Sequence, residues 1–197
     1  MDTRIIIVVD VFVVFASLGA IWLVVANSQQ GIPTGYDAFD VFGMVGGYVG
    51  GHQVNPSNYT QTDYGAFIWA LLPPVIVGSW ALDAALIAVP LALVLAVMSL
   101  ARWQLALPAG IIGILGGTLW VSGVSSISQE AGARLSGWQG FYSTGPQSSV
   151  SASLGPYMIM AGGVLLLITY FLTRTERLDP PFDSSPPSPA HRVLGGG

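Results

Sequence analysis

Apolar residues run through this chain in four long blocks, and shorter polar or turn-forming stretches separate them. A helix crossing a hydrocarbon core about 30 Å thick needs about 20 mainly apolar residues. Blocks of that kind fall at residues 5–26, 76–101, 105–126 and 156–173. The pattern predicts an all-α integral membrane protein, a four-transmembrane-helix bundle occupying residues 1–174, with a large first outer loop at 27–75 and a smaller second one at 127–155. Residues 175–197 are rich in proline, serine and glycine, which cannot bury enough apolar surface to fold alone, so they are expected to form a disordered cytoplasmic tail. Its "PPSP" is a weak polyproline-type signal for a partner.

The second block needs a decision. The stretch "AFIWALLPPVIVGSWALDAALIAVPLALVLAVMSLA" is too long for one span and contains no polar turn that would divide it into two. A proline pair is tolerated at a helix start and not inside one, so Pro73 and Pro74 set the start of the second span near residue 76. Residues 65–72 then lead in as an interfacial or outer-loop segment. Pro90, inside the same span, should kink it.

Arginine placement tests the count, because short loops rich in Lys and Arg stay on the cytoplasmic side. With four spans Arg4, Arg102, Arg174, Arg177 and Arg192 share one side, and Arg134 lies on the other. A fifth span would put Arg102, Arg174, Arg177 and Arg192 outside. Both termini are therefore expected in the cytoplasm. Trp22, Trp80, Trp120 and Tyr157 come at the outer ends of their spans and Trp103 and Tyr170 at the inner ends, as interfacial aromatic belts. Arg4 ahead of an apolar run also resembles a secretory signal, but the run exceeds the usual length of about 7–15 residues, so it reads as an uncleaved anchor.

Composition agrees and narrows the function classes. Of 197 residues, 52% are hydrophobic and 8% charged, too few charges for a water-soluble surface. The net charge is -4, the basic residues are six arginines with no lysine, and a broad basic face for nucleic acid is excluded. The absence of cysteine removes disulfides, thiolate metal sites and thiol nucleophiles.

Several local patterns stand out. In "LPAGIIGILGGTLWVSG" the residues Ala109, Gly113 and Gly117 form a smooth helix-packing strip, widened by Gly110 and Gly116. The first outer loop interleaves Tyr36, Phe39, Phe42, Tyr48, Tyr59 and Tyr64 with a tandem "VGGY", "VGGH" and the acids Asp37, Asp40 and Asp63. It reads either as a compact cap or as an outer binding loop using Tyr36, Phe39, Tyr48 and His52. Asn58 in "NYT" is a possible glycosylation site. The segment "SSISQEAGARLSGW" can carry the third helix beyond the membrane, with Ile127, Ala131, Leu135 and Trp138 on one side and Glu130 paired to Arg134. The following "YSTGPQSSVSASLGP" reads as a polar loop that ends at Pro156.

Candidate chemistry is sparse. The two histidines, His52 and His191, are predicted on opposite sides of the membrane, so no metal or other cofactor is expected, and no base stands near a serine to activate it. Two intramembrane carboxyls remain, Asp10 in "IIIVVDVFVV" and Asp83 in "WALDAALIAV", expected in opposite leaflets. Asp10 should lie about 7 Å inside the inner edge, where headgroup water, protonation or a hydrogen bond from a neighbour such as Arg102 eases its insertion.

These features point to a non-catalytic multi-pass membrane protein of the cell membrane. It is expected to be an accessory or scaffolding subunit of a larger membrane or envelope complex, with other membrane subunits and the lipid bilayer as partners. The alternatives are a small transporter or channel component using Asp10 and Asp83, and an outer-face ligand-binding protein. The layout resembles that of claudins and tetraspanins in plan, without their cysteine motifs.

Overall fold

The computed structural model describes residues 3–27, 34–52, 72–137 and 148–178. Asn58, Asp63, the lead-in 65–71, Trp138 and the tail beyond Leu178 with its "PPSP" lie outside the described residues, as do the side chains of Arg134 and Leu135, while residues 175–178, expected in the disordered tail, continue the last helix. The elements in chain order are α1 (Thr3–Ala16), a 3-10 turn (Ser17–Gly19), β1 (Ile21–Asn27), β2 (Thr34–Asp37), α2 (Ala38–Val49), α3 (Trp80–Ser99), α4 (Ala106–Gly137), β3 (Ser148–Ala152) and α5 (Leu154–Leu178). The fold is mostly helical. Among the described residues three helical segments are long and apolar enough to cross a membrane, namely Trp80–Ser99, Trp103–Ala131 and Leu154–Thr175.

Small residues set the helix packing. On α4, Gly123 lies against Leu82 of α3, Gly116 against Ala88 and Val89, and Gly113 near Ala92, so the two helices run antiparallel. The other side of α4 faces α5: Gly117 lies on Pro156 and Met160, and Gly110 on Gly163. Helix α1 packs antiparallel to α5, with Val14 against Gly162. The α1 face turned to protein carries Ile7, Asp10, Val11 and Val14, while Ile5, Val8, Val9 and Phe12 are exposed. That stripe repeats at three and four residues, the spacing of one helix face.

The first apolar block does not form one helix over 5–26. Its helix ends at Ala16, the 3-10 turn follows, Ala20 is extended, and Ile21–Asn27 is strand. Valine and isoleucine fill both halves, so residue preference does not choose between helix and strand here. Pairing does: β1 is the centre of an antiparallel sheet of order β2-β1-β3, which corrects the all-α expectation. Val25 stands opposite Thr34 on one side and Val150 on the other. Strand β3 replaces a predicted polar loop, with Val150 buried and Ser149 and Ser151 exposed, the alternation of a half-buried strand.

The proline pair also behaves differently from expectation. Pro73 and Pro74 open a short helical stretch, 72–77, which ends at Gly78, and α3 begins afresh at Trp80. Helix α4 runs on to Gly137, as the sequence predicts, and this extension packs against β3 with Ile127 and Ala131 buried. The sheet, α2 and the α4 extension together cap one end of the bundle. Trp103 and the α3–α4 turn lie at the other end.

Candidate functional site

The Asp10 side chain is buried on the face of α1 that meets α5. The Thr169 hydroxyl on α5 donates to the Asp10 Oδ2 at 2.6 Å. One turn on, the Thr173 hydroxyl donates to the Thr169 carbonyl at 2.8 Å, so both buried threonines are engaged. The partner of Asp10 is thus Thr169, and Arg102, suggested by the sequence, is exposed at the α3–α4 turn. Adjacent Tyr170 stacks on Trp103 with ring centroids 5.2 Å apart.

Asp83 belongs to the opposite end. It occupies the first turn of α3, and its backbone N–H donates to the Ser79 carbonyl at 2.9 Å. An acid in the first turn is favoured by the positive dipole end of a helix. Neighbouring Leu82 lies against Gly123, whereas Asp10 lies near the level of Trp103. Those two levels on α4 are about 30 Å apart at 1.5 Å per residue, so the acids do not converge.

A second focus is the join between bundle and cap. Trp22 and Trp120 are each 1% exposed and meet edge to face with centroids 5.2 Å apart. The Trp22 indole N–H donates to the Ser17 carbonyl at 2.6 Å, satisfying an acceptor where the helix ends. The Trp22 carbonyl accepts from the Ser153 N–H at 3.1 Å and the Trp120 indole at 3.3 Å. The ladder to β2 shifts register here, between Ile21 and Leu23. Gly155 leaves room for the Trp22 ring, since any Cβ on Gly155 would fall on it. Both tryptophans were expected in a lipid-facing belt and are instead core. Trp80 is 77% exposed at the start of α3.

The residues proposed for an outer binding loop do not gather into one site. Tyr36 is buried on β2, Phe39 is exposed on α2, Tyr48 is half-buried, and His52 is exposed beyond the helix end. Asp37 and Asp40 serve α2 itself as a capping box: the Asp40 N–H donates to Asp37 Oδ1 at 2.9 Å and the Asp37 N–H to Asp40 Oδ2 at 3.4 Å. The second glycine pair ends α2, with Gly51 at φ +82. Among the described residues no three His, Asp or Glu side chains gather closely enough to hold a metal ion.

Ala109, Gly113 and Gly117 are buried, and Gly113 and Gly117 face α5 within this chain. Sequence reasoning missed Thr169, Trp22 as a core residue, and Gly155. The spacing of Thr169 and Thr173, four apart in "LLLITYFLTRT", was the available signal for the first. No protein-family model, curated protein or solved structure matches the chain.

Proposed function

We propose that this chain is a non-catalytic multi-pass protein of the cell membrane, an accessory or scaffolding subunit that holds a rigid outer cap for assembly with other membrane subunits. In this reading the first span is α1 with its 3-10 turn, the fourth member of the bundle. Fourteen residues at about 1.5 Å and three at about 2.0 Å reach about 27 Å, close to the hydrocarbon thickness. In this reading the α3–α4 turn and both termini are cytoplasmic and the cap lies outside, which the distribution of arginines supports.

The observation that carries the reading is the buried Asp10–Thr169 hydrogen bond between α1 and α5. An intramembrane acid is a functional candidate by default. Here its carboxyl ties two helices together, and the other candidate, Asp83, sits at a helix N-terminus where acids are favoured for structural reasons. The transporter alternative loses its pair of groups along one path. The cap, pinned by Trp22 and Trp120, remains as the feature offered to the outside.

Extraction of the native membrane in mild detergent, with sizing and mass-spectrometric identification of co-migrating chains, tests this. Stoichiometric partners support a subunit. A particle containing this chain alone overturns it and directs attention to flux through Asp10→Asn and Asp83→Asn variants.

A further inference from the structure

Among the described residues, helix α2 has one face packed and one face uncovered. Ala38, Val41, Met44 and Val45 are buried against the cap. The opposite face carries Phe39, Gly43, Gly46 and Val49, with Phe39 66% and Val49 70% exposed. Nothing lies within 4 Å of where a Cβ on Gly46 would stand. The two acids at the helix start are turned onto its own N-terminus by the capping box, so they do not charge this face.

Position identifies what covers it. Helix α2 packs against the 3-10 turn Ser17–Gly19, the last turn of the first apolar helix, and against β1 and β2. At that junction Ile21, 45% exposed, lies over Gly35 and stands opposite Asp37, the residue that caps α2. Exposed apolar side chains thus occur on each of these neighbouring elements, Phe12 and Phe15 on α1, Ile21 on β1 and Phe39 on α2.

We propose that α2 is an interfacial helix whose Phe39–Val49 face enters the outer leaflet, so that the cap is seated on lipid as well as on the bundle. An interfacial helix normally keeps its polar face to water and its apolar face in the acyl boundary. In α2 the protein-facing side is apolar too, and the cap takes the place of water. The glycines on the bare face make it smooth, so lipid chains can lie close to the backbone between the Phe39 and Val49 side chains. The proposal rests on α1 spanning the membrane and is independent of whether the chain has protein partners.

Because the chain contains no cysteine, single labels report cleanly. Phe12→Cys, Phe39→Cys, Val49→Cys and Gln129→Cys variants of the full chain are labelled with an environment-sensitive fluorophore and reconstituted in phosphatidylcholine vesicles containing some phosphatidylglycerol. Quenching is read with iodide in water and with lipids carrying a doxyl group near the headgroup or near the chain end. The expected result is blue-shifted emission and shallow-doxyl quenching at 39 and 49, deep quenching at 12, and iodide quenching at 129. Iodide access at 39 and 49 with deep quenching retained at 12 overturns the interfacial helix and leaves the span intact. Protection of 39 and 49 from both quenchers overturns it in favour of protein cover. Loss of deep quenching at 12 overturns the spanning reading and the proposal with it.

Discussion

Asp10 on α1 and Thr169 on α5 share a 2.6 Å hydrogen bond in a region where both side chains are almost fully withdrawn from the surface. The threonine also precedes Tyr170, which stacks on Trp103, so one short segment of α5 joins α1 and the α3–α4 turn. Thr169→Val preserves shape and removes the donor, leaving the carboxyl without it. A buried polar group that loses its partner costs about 1–3 kcal/mol, so the unfolding temperature in detergent should fall, while Thr169→Ser should stay near the parent. Replacing both partners, Asp10→Leu with Thr169→Val, should recover part of the loss because no polar group is then stranded. A Thr169→Val protein as stable as the parent would refute the tie.

Trp22 is the pivot on which the cap is mounted. Gly155→Ala would drive a methyl group into its indole ring, next to its edge-to-face contact with Trp120. Overpacking of this kind costs about 1–3 kcal/mol. Loosening of the cap should appear as a red shift of tryptophan emission and faster proteolysis in the cap, with the helix content of the bundle retained. An unchanged spectrum would mean that Trp22 moves aside without consequence.

The glycines divide into two classes with opposite responses. A Cβ on Gly110 would stand 2.6 Å from the Gly163 carbonyl oxygen, and one on Gly163 would stand 2.7 Å from the Gly110 carbonyl oxygen. Backbone cannot rotate out of the way, so Gly110→Ala or Gly163→Ala must push α4 and α5 apart, at about 1–3 kcal/mol each. Gly46→Ala meets open space and should be neutral, or stabilising by up to about 1 kcal/mol through helix propensity. Thermal unfolding of the three variants side by side decides the matter. Equal effects at Gly46 and Gly110 would contradict the packing.

The parts of the fold that were readable are those in which length and hydropathy speak without competition. Helices α3, α4 and α5 fall on their predicted blocks because no shorter element is apolar over so many residues. The first block misled because a strand at the centre of a small sheet and a membrane helix are both continuous Val and Ile runs. What separates them is the pairing of Val25 with Val150, far apart in the chain, which no local pattern displays. Gly19 was the local hint. Asp10 was recognisable as an anomaly, but Thr169 was not recognisable as its partner, since the choice among hydroxyls on neighbouring helices depends on α1 meeting α5. Asp37 and Asp40 stand three apart, the spacing of a capping box, but the sequence placed them in a loop rather than at the start of a helix.

The arginines that the structure keeps at one end predict the orientation of the bundle. Arg102 lies exposed in the α3–α4 turn, and Arg174 lies exposed on α5, one turn beyond the Tyr170 that stacks on Trp103. The cap at the other end carries the acids Asp37 and Asp40 and, on α3, Asp83. Since short basic flanks stay cytoplasmic, Gln104, exposed beside Arg102, should be inside and Val49 outside. In intact cells a membrane-impermeant maleimide should label Gln129→Cys on the α4 extension, while Gln104→Cys reacts only after permeabilisation. Labelling of Gln104→Cys alone would invert the protein and place the cap in the cytoplasm. Labelling of both ends before permeabilisation would mean the helices do not cross the membrane. An Arg102→Glu, Arg174→Glu double variant should weaken the orientation bias and yield a mixed labelling pattern, because the charge asymmetry that holds this end inside would be reversed at two of its positions.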